Sequence, residues 1–470
     1  LSTPGADQQA REPATKPKPK RRKATWPVGL RLLARRLHFM AGVVVAPFLL
    51  VLALTGLVYV FSPQIHDDLY HSALHVPGQA GVQKPVSEQV RAALTAHPEG
   101  SVKAVYTAAG ADRTTRVVLS VPGLTGAGDE AQARSVFVDP YTNYITGELN
   151  TVGDQLPANT WLRQLHSNLH LGEVGRLYSE LAASWLPLIA VGGLVLLLAK
   201  QGRRRRARPR ELLVPSTRGA KEAWSRLRGV HGPLGLWLTV GLLAVGLTGL
   251  SMSQFAGGRA AQATDPLRLR APVLAAAPVP VPANVGQIGI DRALQVARSE
   301  GLTGQLLVTA PSHDGAVYTV AERTVGLPLH LESIAINPYT AEVTERIGWG
   351  DYSPAAKLTT LGVEFHTGVL FGLANQIVVA LLAAGLIVLI LLGYRMWWVK
   401  NPYKSKWAAV PPVTWRQLPL LALSLVLLVV AALSWLMPVF GASLLVFVAV
   451  DAAINVVKRR RRPIPSPRHR

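Results

Sequence analysis

Twelve histidines and no cysteine set the chemistry open to this 470-residue chain. Imidazole is the commonest protein ligand for transition metals. The missing thiols exclude disulfides, thiolate metal sites and cysteine nucleophiles. Four histidines stand out: His38, His166, His231 and His366. Each lies at the end of an apolar run or just before one, and each has a counterpart in the other half of the chain. His38 and His231 are 193 residues apart; His166 and His366 are 200 apart. A single interfacial histidine more often snorkels or caps a helix than binds a metal. Two matched pairs favour ligation. His170 competes with His166 for the place opposite His366, since it lies four residues after His166, on the same face of a continuous helix, and an offset of 196 pairs it with His366. The offset of 200 also superposes Gly172 on Gly372 and Gly193 on Gly393. His66, His71 and His75 follow an apolar run at spacings of five and four, a weak pattern for a metal site. His97, His313, His330 and His469 have no counterpart and no motif.

The elements that would position these residues are membrane helices. A span needs about 20 mostly apolar residues. Such runs occur near 39–61, 179–199, 232–252, 371–394, 417–437 and 438–457, the last two divided by Pro438 and expected to form a helical hairpin. Of the 49 Lys and Arg, 33 fall in residues 1–37, 200–228, 395–416 and 458–470, with only four acidic residues among them. The positive-inside rule places these segments in the cytoplasm, and all six spans alternate accordingly. The formal charge of +22 therefore reads as a topology signal. Nucleic-acid binding is not expected, because the basic runs abut spans and carry no fold of their own. The first 25 residues are polar and lack the apolar core of a signal peptide, so a disordered tail is expected.

The chain also repeats. LHFMAGVVVAPFLLVLALTGL, with His38 and Thr55-Gly56, recurs as VHGPLGLWLTVGLLAVGLTGL, with His231 and Thr248-Gly249. VDPYTNYITGE recurs as INPYTAEVTE, and LHSNLHLGEVG as FHTGVLFGLAN. Each unit passes in, out and in again, which makes parallel repeats about an axis along the membrane normal. Each large segment between spans holds an amphipathic stretch (86–97 and 287–301) followed by short alternating strands. The Pro/Ala-rich residues 271–283 read as a linker.

The expected architecture is an all-α multi-pass membrane bundle of about six helices, four of them in a duplicated pair of hairpins, with two small α+β extracytoplasmic domains. The segments are a cytoplasmic tail 1–30, helix 31–61, domain 62–160, helix 161–199, basic loop 200–228, helix 229–255, domain 256–360, helix 361–398, loop 399–416, two helices within 417–457, and a basic tail 458–470.

This arrangement resembles the PepSY-associated transmembrane family. The residues that carry the resemblance are RRLHFMAGVVVAPFLLVLALTG, VDPYTNYITG, WLRQLHSNLHLGEVGRL, VHGPLGLWLTVGLLAVGLTG, INPYTAEV and FHTGVLFGLANQI, which together cover about residues 30–400. The resemblance implies a bacterial inner-membrane protein with both termini cytoplasmic. Known members include ferric-siderophore reductases that hold two haems between membrane helices. It therefore implies two haem b groups, a substrate that is ferric iron or a ferric siderophore, and an electron donor that is a quinol or a cytoplasmic reductant. His38 with His231 would hold the inner haem. His166 with His366 would hold the outer one, His170 being the rival. Gly42, Gly56, Gly235 and Gly249 would admit the flat macrocycle. Arg35, Arg36 and Arg228 on the inner side, and Arg163 and Arg176 on the outer, could pair its propionates. No G-x-G-x-x-G lies between a strand and a helix, so nicotinamide and flavin are not expected within the chain. Two other classes compete. The external domains could simply bind a peptidase or another envelope partner, or the repeats could serve transport.

Overall fold

The computed structural model describes residues 26–77, 81–126, 131–153, 155–201, 210–215, 222–264, 270–323, 326–327, 331–400 and 419–460. The N-terminal 25 residues, residues 202–209 and 216–221 of the basic loop, residues 401–418 and the last ten residues lie outside the described residues, as do His330 and His469.

The first apolar run forms two helices, α1 (Trp26–Val44) and α2 (Ala46–Tyr59), bent by 61° at their junction. Pro47 explains the break. It has no N–H to offer the carbonyl four residues back, and its ring crowds that carbonyl. The carbonyl belongs to Val43, and the Tyr394 hydroxyl donates to it at 2.8 Å. The Tyr178 hydroxyl likewise donates to the Phe48 carbonyl at 2.9 Å. The kinked span is thus held from two neighbouring helices.

The chain then enters α3 (Ser62–Leu69), α4 (His71–Leu74) and α5 (Val86–Ala96). Strands β1 (Ser101–Tyr106), β2 (Thr115–Ser120), β3 (Gln132–Val138) and β4 (Ile145–Val152) follow. Helices α6 (Pro157–Asn168) and α7 (Gly172–Gln201) return through the bundle, and short α8 (Arg210–Leu213) comes next. The second half repeats the plan with α9 (Ala223–Ser251), α10 (Phe255–Thr264), α11 (Gly289–Ser299), β5 (Leu306–Thr309), β6 (Tyr318–Glu322), β7 (Ser333–Ile336), β8 (Val343–Ile347), α12 (Pro354–Thr367) and α13 (Leu373–Lys400). Two final helices are α14 (Leu420–Leu436) and α15 (Pro438–Arg460).

Among the described residues, α7, α9 and α13 are each long and apolar enough to cross a membrane, and α1 with α2 makes a fourth candidate when the bent pair is taken as one span. The apolar parts of α14 and α15 are shorter, 17 residues for α14. The two meet at Pro438, and α15 packs on α7. There the buried Trp185 donates from its indole nitrogen to Ser443 at 3.0 Å and meets Phe440 edge-on. Small residues let the spans approach closely. On α9, Gly241 faces Leu382 of α13; on α13, Gly385 faces Leu238 of α9.

The two domains are not separate units as the sequence suggests. Their strands form one eight-stranded antiparallel sheet in the order β4-β3-β2-β1-β5-β6-β7-β8. The halves join where β1 pairs with β5, Val105 opposite Val308. The order reads the same from either edge, as a twofold between β1 and β5 requires. Each half keeps its own core. Ala93 of α5 packs on Val105, Val117, Leu119, Val136 and Val138. Ala293 and Ala297 of α11 pack on Leu306, Val308, Val320, Ile334 and Ile336. The repeated Pro-Tyr-Thr turns are alike in detail. Asp139 and Asn337 each accept the N–H two residues on, from Tyr141 at 2.8 Å and Tyr339 at 2.9 Å. The following Asn143 and Ala341 adopt positive φ. Residues 271–283 are not a free linker: Glu345 of β8 accepts the N–H groups of Ala275 and Ala276.

Candidate functional site

The structure brings the four matched histidines together in two pairs. His38 of α1 and His231 of α9 have ring centres 6.3 Å apart. His166 of α6 and His366 of α12 have ring centres 6.4 Å apart. The second pair lies toward the sheet, since α6 follows β4 and α12 follows β8. The first pair lies at the far end of the bundle. Along α9, His231 and Thr248 are separated by about 25 Å at 1.5 Å per residue.

Local structure delivers the sheet-proximal pair. Pro157 opens α6 and Pro354 opens α12, where proline's fixed φ suits the first helical turn. Ser353 caps α12 by accepting the Ala356 N–H at 3.0 Å. Both helices end in a left-handed residue, Leu169 at φ 53° and Gly368 at φ 83°. The reversal places α6 against α2, and α12 against α9 and α13.

Each imidazole is oriented by a neighbouring helix. The Thr55 hydroxyl donates to the Val51 and Leu52 carbonyls, so at 3.1 Å from His166 Nδ1 it accepts the ring proton. The Thr248 hydroxyl donates to Ala244 and Val245 and accepts from His366 Nδ1 at 3.1 Å. His366 Nδ1 also donates to the Val245 carbonyl. His38 Nδ1 donates to the Ile189 carbonyl of α7 at 2.8 Å. These acceptors hold the proton on Nδ1 and leave the Nε2 lone pair free to ligate. The Leu389 carbonyl lies beside the His231 ring, whose Nδ1 makes no hydrogen bond of ordinary geometry.

Glycines make the clearance. A β-carbon on Gly56 would fall 2.9 Å from His166 Cε1, and one on Gly249 would fall 2.9 Å from His366 Cε1. One on Gly193 would meet His38 Cε1 at 3.0 Å, whereas one on Gly393 would keep 3.9 Å from His231. One helical turn after each distal histidine the packing opens. A β-carbon on Gly42 would have nothing within 4 Å, and one on Gly235 would touch only Leu389 at 3.9 Å.

Two imidazoles that share one metal ion, each bonded at about 2 Å, can hold their ring centres up to about 6.3 Å apart. Both pairs have that separation. The ring separations therefore fit two bis-imidazole sites, and at the His38–His231 pair the open faces of Gly42 and Gly235 leave room for a flat ligand. Arg163, one turn before His166, has a buried Nε with no hydrogen-bond partner among the described residues. It can meet an acidic ligand group near the sheet-proximal site.

Other candidates fall away from these centres. His170 lies past the end of α6 at φ 57°, exposed and against Trp161 at 5.0 Å, so it does not share the His166 face. Arg36 forms an ion pair with Asp451 of α15 and is not free for a propionate. Arg228 lies over Trp224, and Arg176 reaches Gln254 and Glu173. Arg35 is exposed. Sequence reasoning missed Tyr59, whose ring lies parallel to His166 at 6.0 Å. It also missed the two threonine hydroxyls, although Thr55 and Thr248 were visible as a repeated Thr-Gly.

A family model described as the PepSY-associated TM region matches residues 35–400. The chain belongs to the PepSY-associated TM family. The match spans both histidine pairs and the whole sheet, so the site lies within what defines PepSY-associated TM proteins. A search of the curated proteins found no match.

Proposed function

We propose that this PepSY-associated TM protein is a transmembrane electron carrier that holds two haem b groups and reduces ferric iron, or a ferric siderophore, on the sheet side of the bacterial inner membrane. The observation that carries the reading is the pair of imidazole separations, 6.3 and 6.4 Å, repeated at the two ends of the bundle. Bound haem would supply one-electron chemistry at each end.

The chain's own residues do the rest. His38 and His231 would ligate at the basic, cytoplasmic end, where both termini lie in this reading. His166 and His366 would ligate at the sheet end. Ile189 keeps the Nε2 of His38 unprotonated, Thr55 that of His166, and Thr248 with Val245 that of His366. Arg163 would hold a propionate at the sheet end. A quinol or a cytoplasmic reductant would supply electrons at the far end, because no dinucleotide-binding fingerprint is present. Reduction weakens the grip of hard oxygen ligands on the iron, which releases it.

One observation counts against transport. Two acidic residues within the apolar helices, Glu180 and Asp451, are both satisfied. Glu180, 2% exposed, accepts the Phe255 and Ala256 N–H groups at the start of α10, and Asp451 pairs with Arg36. Neither is left to bind a moving ion.

A reduced-minus-oxidised absorption spectrum of the purified protein in detergent tests the reading. The proposal requires a Soret band with sharp α and β bands. A folded but colourless protein would favour the alternative in which the sheet domain only binds a peptidase or another envelope partner.

A further inference from the structure

A second cluster of ligating side chains stands apart from the histidine pairs. Asp67 of α3, His71 at the start of α4, and His75 just past its end each offer one ligand atom, and all three atoms lie within 4.8 Å of one another. The spacing of four and four stacks them on one side of a helical segment. The His71 and His75 rings lie 4.2 Å apart and 21° from parallel. His66, which the sequence grouped with them, turns toward Tyr70, and Asp67 takes its place.

The cluster is pre-organised. His75 bridges to Arg113, and the Val76 N–H donates to the Asp112 carbonyl at 3.0 Å. Thr114 and Thr146 both donate to the Ala73 carbonyl between the two histidines. The Tyr70 hydroxyl accepts the Ala158 N–H, which ties the segment to α6. His75 Nε2 faces Asp67 Oδ1 at 3.0 Å, and on the other side of the ring Nδ1 faces Asp112 Oδ2 at 3.7 Å. Arg113 also bonds Asp67 Oδ1, and this holds the Asp67 carboxyl below the usual carboxylate range.

We infer that Asp67, His71 and His75 form a binding site for a divalent first-row transition-metal ion. Two imidazoles and one carboxylate suit zinc or iron(II). The ion would sit between His75 Nε2 and the Asp67 carboxylate. Asp112 would then hold the proton on His75 Nδ1, and Arg113 would orient the Asp67 carboxylate, the outer partners that metal-binding histidines and carboxylates ordinarily have. His71 is exposed, so solvent completes the coordination and the ion can exchange. The inference does not depend on the membrane histidine pairs.

The test is titration of the full-length protein in detergent with Co²⁺, followed by metal analysis after equilibrium dialysis, and with Zn²⁺, followed by the melting temperature. Wild type should bind one Co²⁺ that Zn²⁺ displaces, and Zn²⁺ should raise its melting temperature. His71→Ala, which removes an exposed ring, should weaken Co²⁺ binding at least about tenfold and abolish the Zn²⁺ shift. Asp67→Asn should weaken binding as well. Absence of Co²⁺ binding in wild type, or unchanged binding in both variants, would overturn the inference.

Discussion

The hydroxyl of Thr248 accepts the Nδ1 proton of His366 at 3.1 Å, and Thr55 repeats the contact with His166 at the same distance. The duplication has preserved a hydrogen bond that orients the imidazole as well as the imidazole itself. Valine is close in shape to threonine but cannot accept the proton. Thr55→Val and Thr248→Val should each loosen the sheet-proximal site. Loss of such a partner ordinarily lowers metal affinity about 10–100-fold. Haem transfer to an apoprotein acceptor measures it, and wild-type transfer rates in both variants would show that the threonines do not matter.

The glycine clearances make a graded prediction. Gly56→Ala, Gly249→Ala and Gly193→Ala each drive a methyl group to within 3.0 Å of a histidine ring atom. Gly393→Ala leaves ordinary contact at 3.9 Å. The first three should displace an imidazole and reduce haem retention, while Gly393→Ala should retain its haem. Haem content of the four variants at equal protein concentration decides the order. Equal retention in all four would mean the rings can shift freely.

Tyr394→Phe isolates the support of the kinked first span. The Val43 carbonyl would lose the donor that answers Pro47. A buried polar group left unpaired costs about 1–3 kcal/mol. Thermal unfolding in detergent should show a lower midpoint for Tyr394→Phe than for wild type.

Asp451→Asn tests why α15 belongs to the bundle. Arg36 and Asp451 are 11% and 22% exposed, so the pair is largely shielded. Breaking a buried pair from one side costs about 3–5 kcal/mol, and partial exposure reduces that figure. The variant should unfold at a lower temperature, and Arg36→Met with Asp451→Leu should recover part of the loss. No recovery in the double variant would argue that the charges themselves are needed.

Much of this was legible in the sequence because membrane helices and repeats are long-range regularities. The apolar runs located α1–α2, α7, α9 and α13, and the repeated Pro-Tyr-Thr located two alike hairpins. What escaped depended on particular contacts. Strands β4 (ITGELNTV) and β8 (VTERI) are the two edges of the sheet, and their polar residues, suited to an edge, hide the strand pattern. The joining of both halves through β1 and β5 rests on residues about 200 positions apart, such as Val105 and Val308, whose side chains would suit any buried strand. The bend at Pro47 lay in plain view. That Tyr394 would answer it could not be read from composition. His170 looked equivalent to His166 only while the helix was assumed to continue past Asn168.

Haem content per polypeptide, in wild type and in the four single variants His38→Ala, His231→Ala, His166→Ala and His366→Ala, tests the central claim most directly. Two haems per wild-type chain and one in each variant, with His170→Ala retaining both, is the predicted result. Wild-type protein without haem, or all four variants with unchanged stoichiometry, would contradict it.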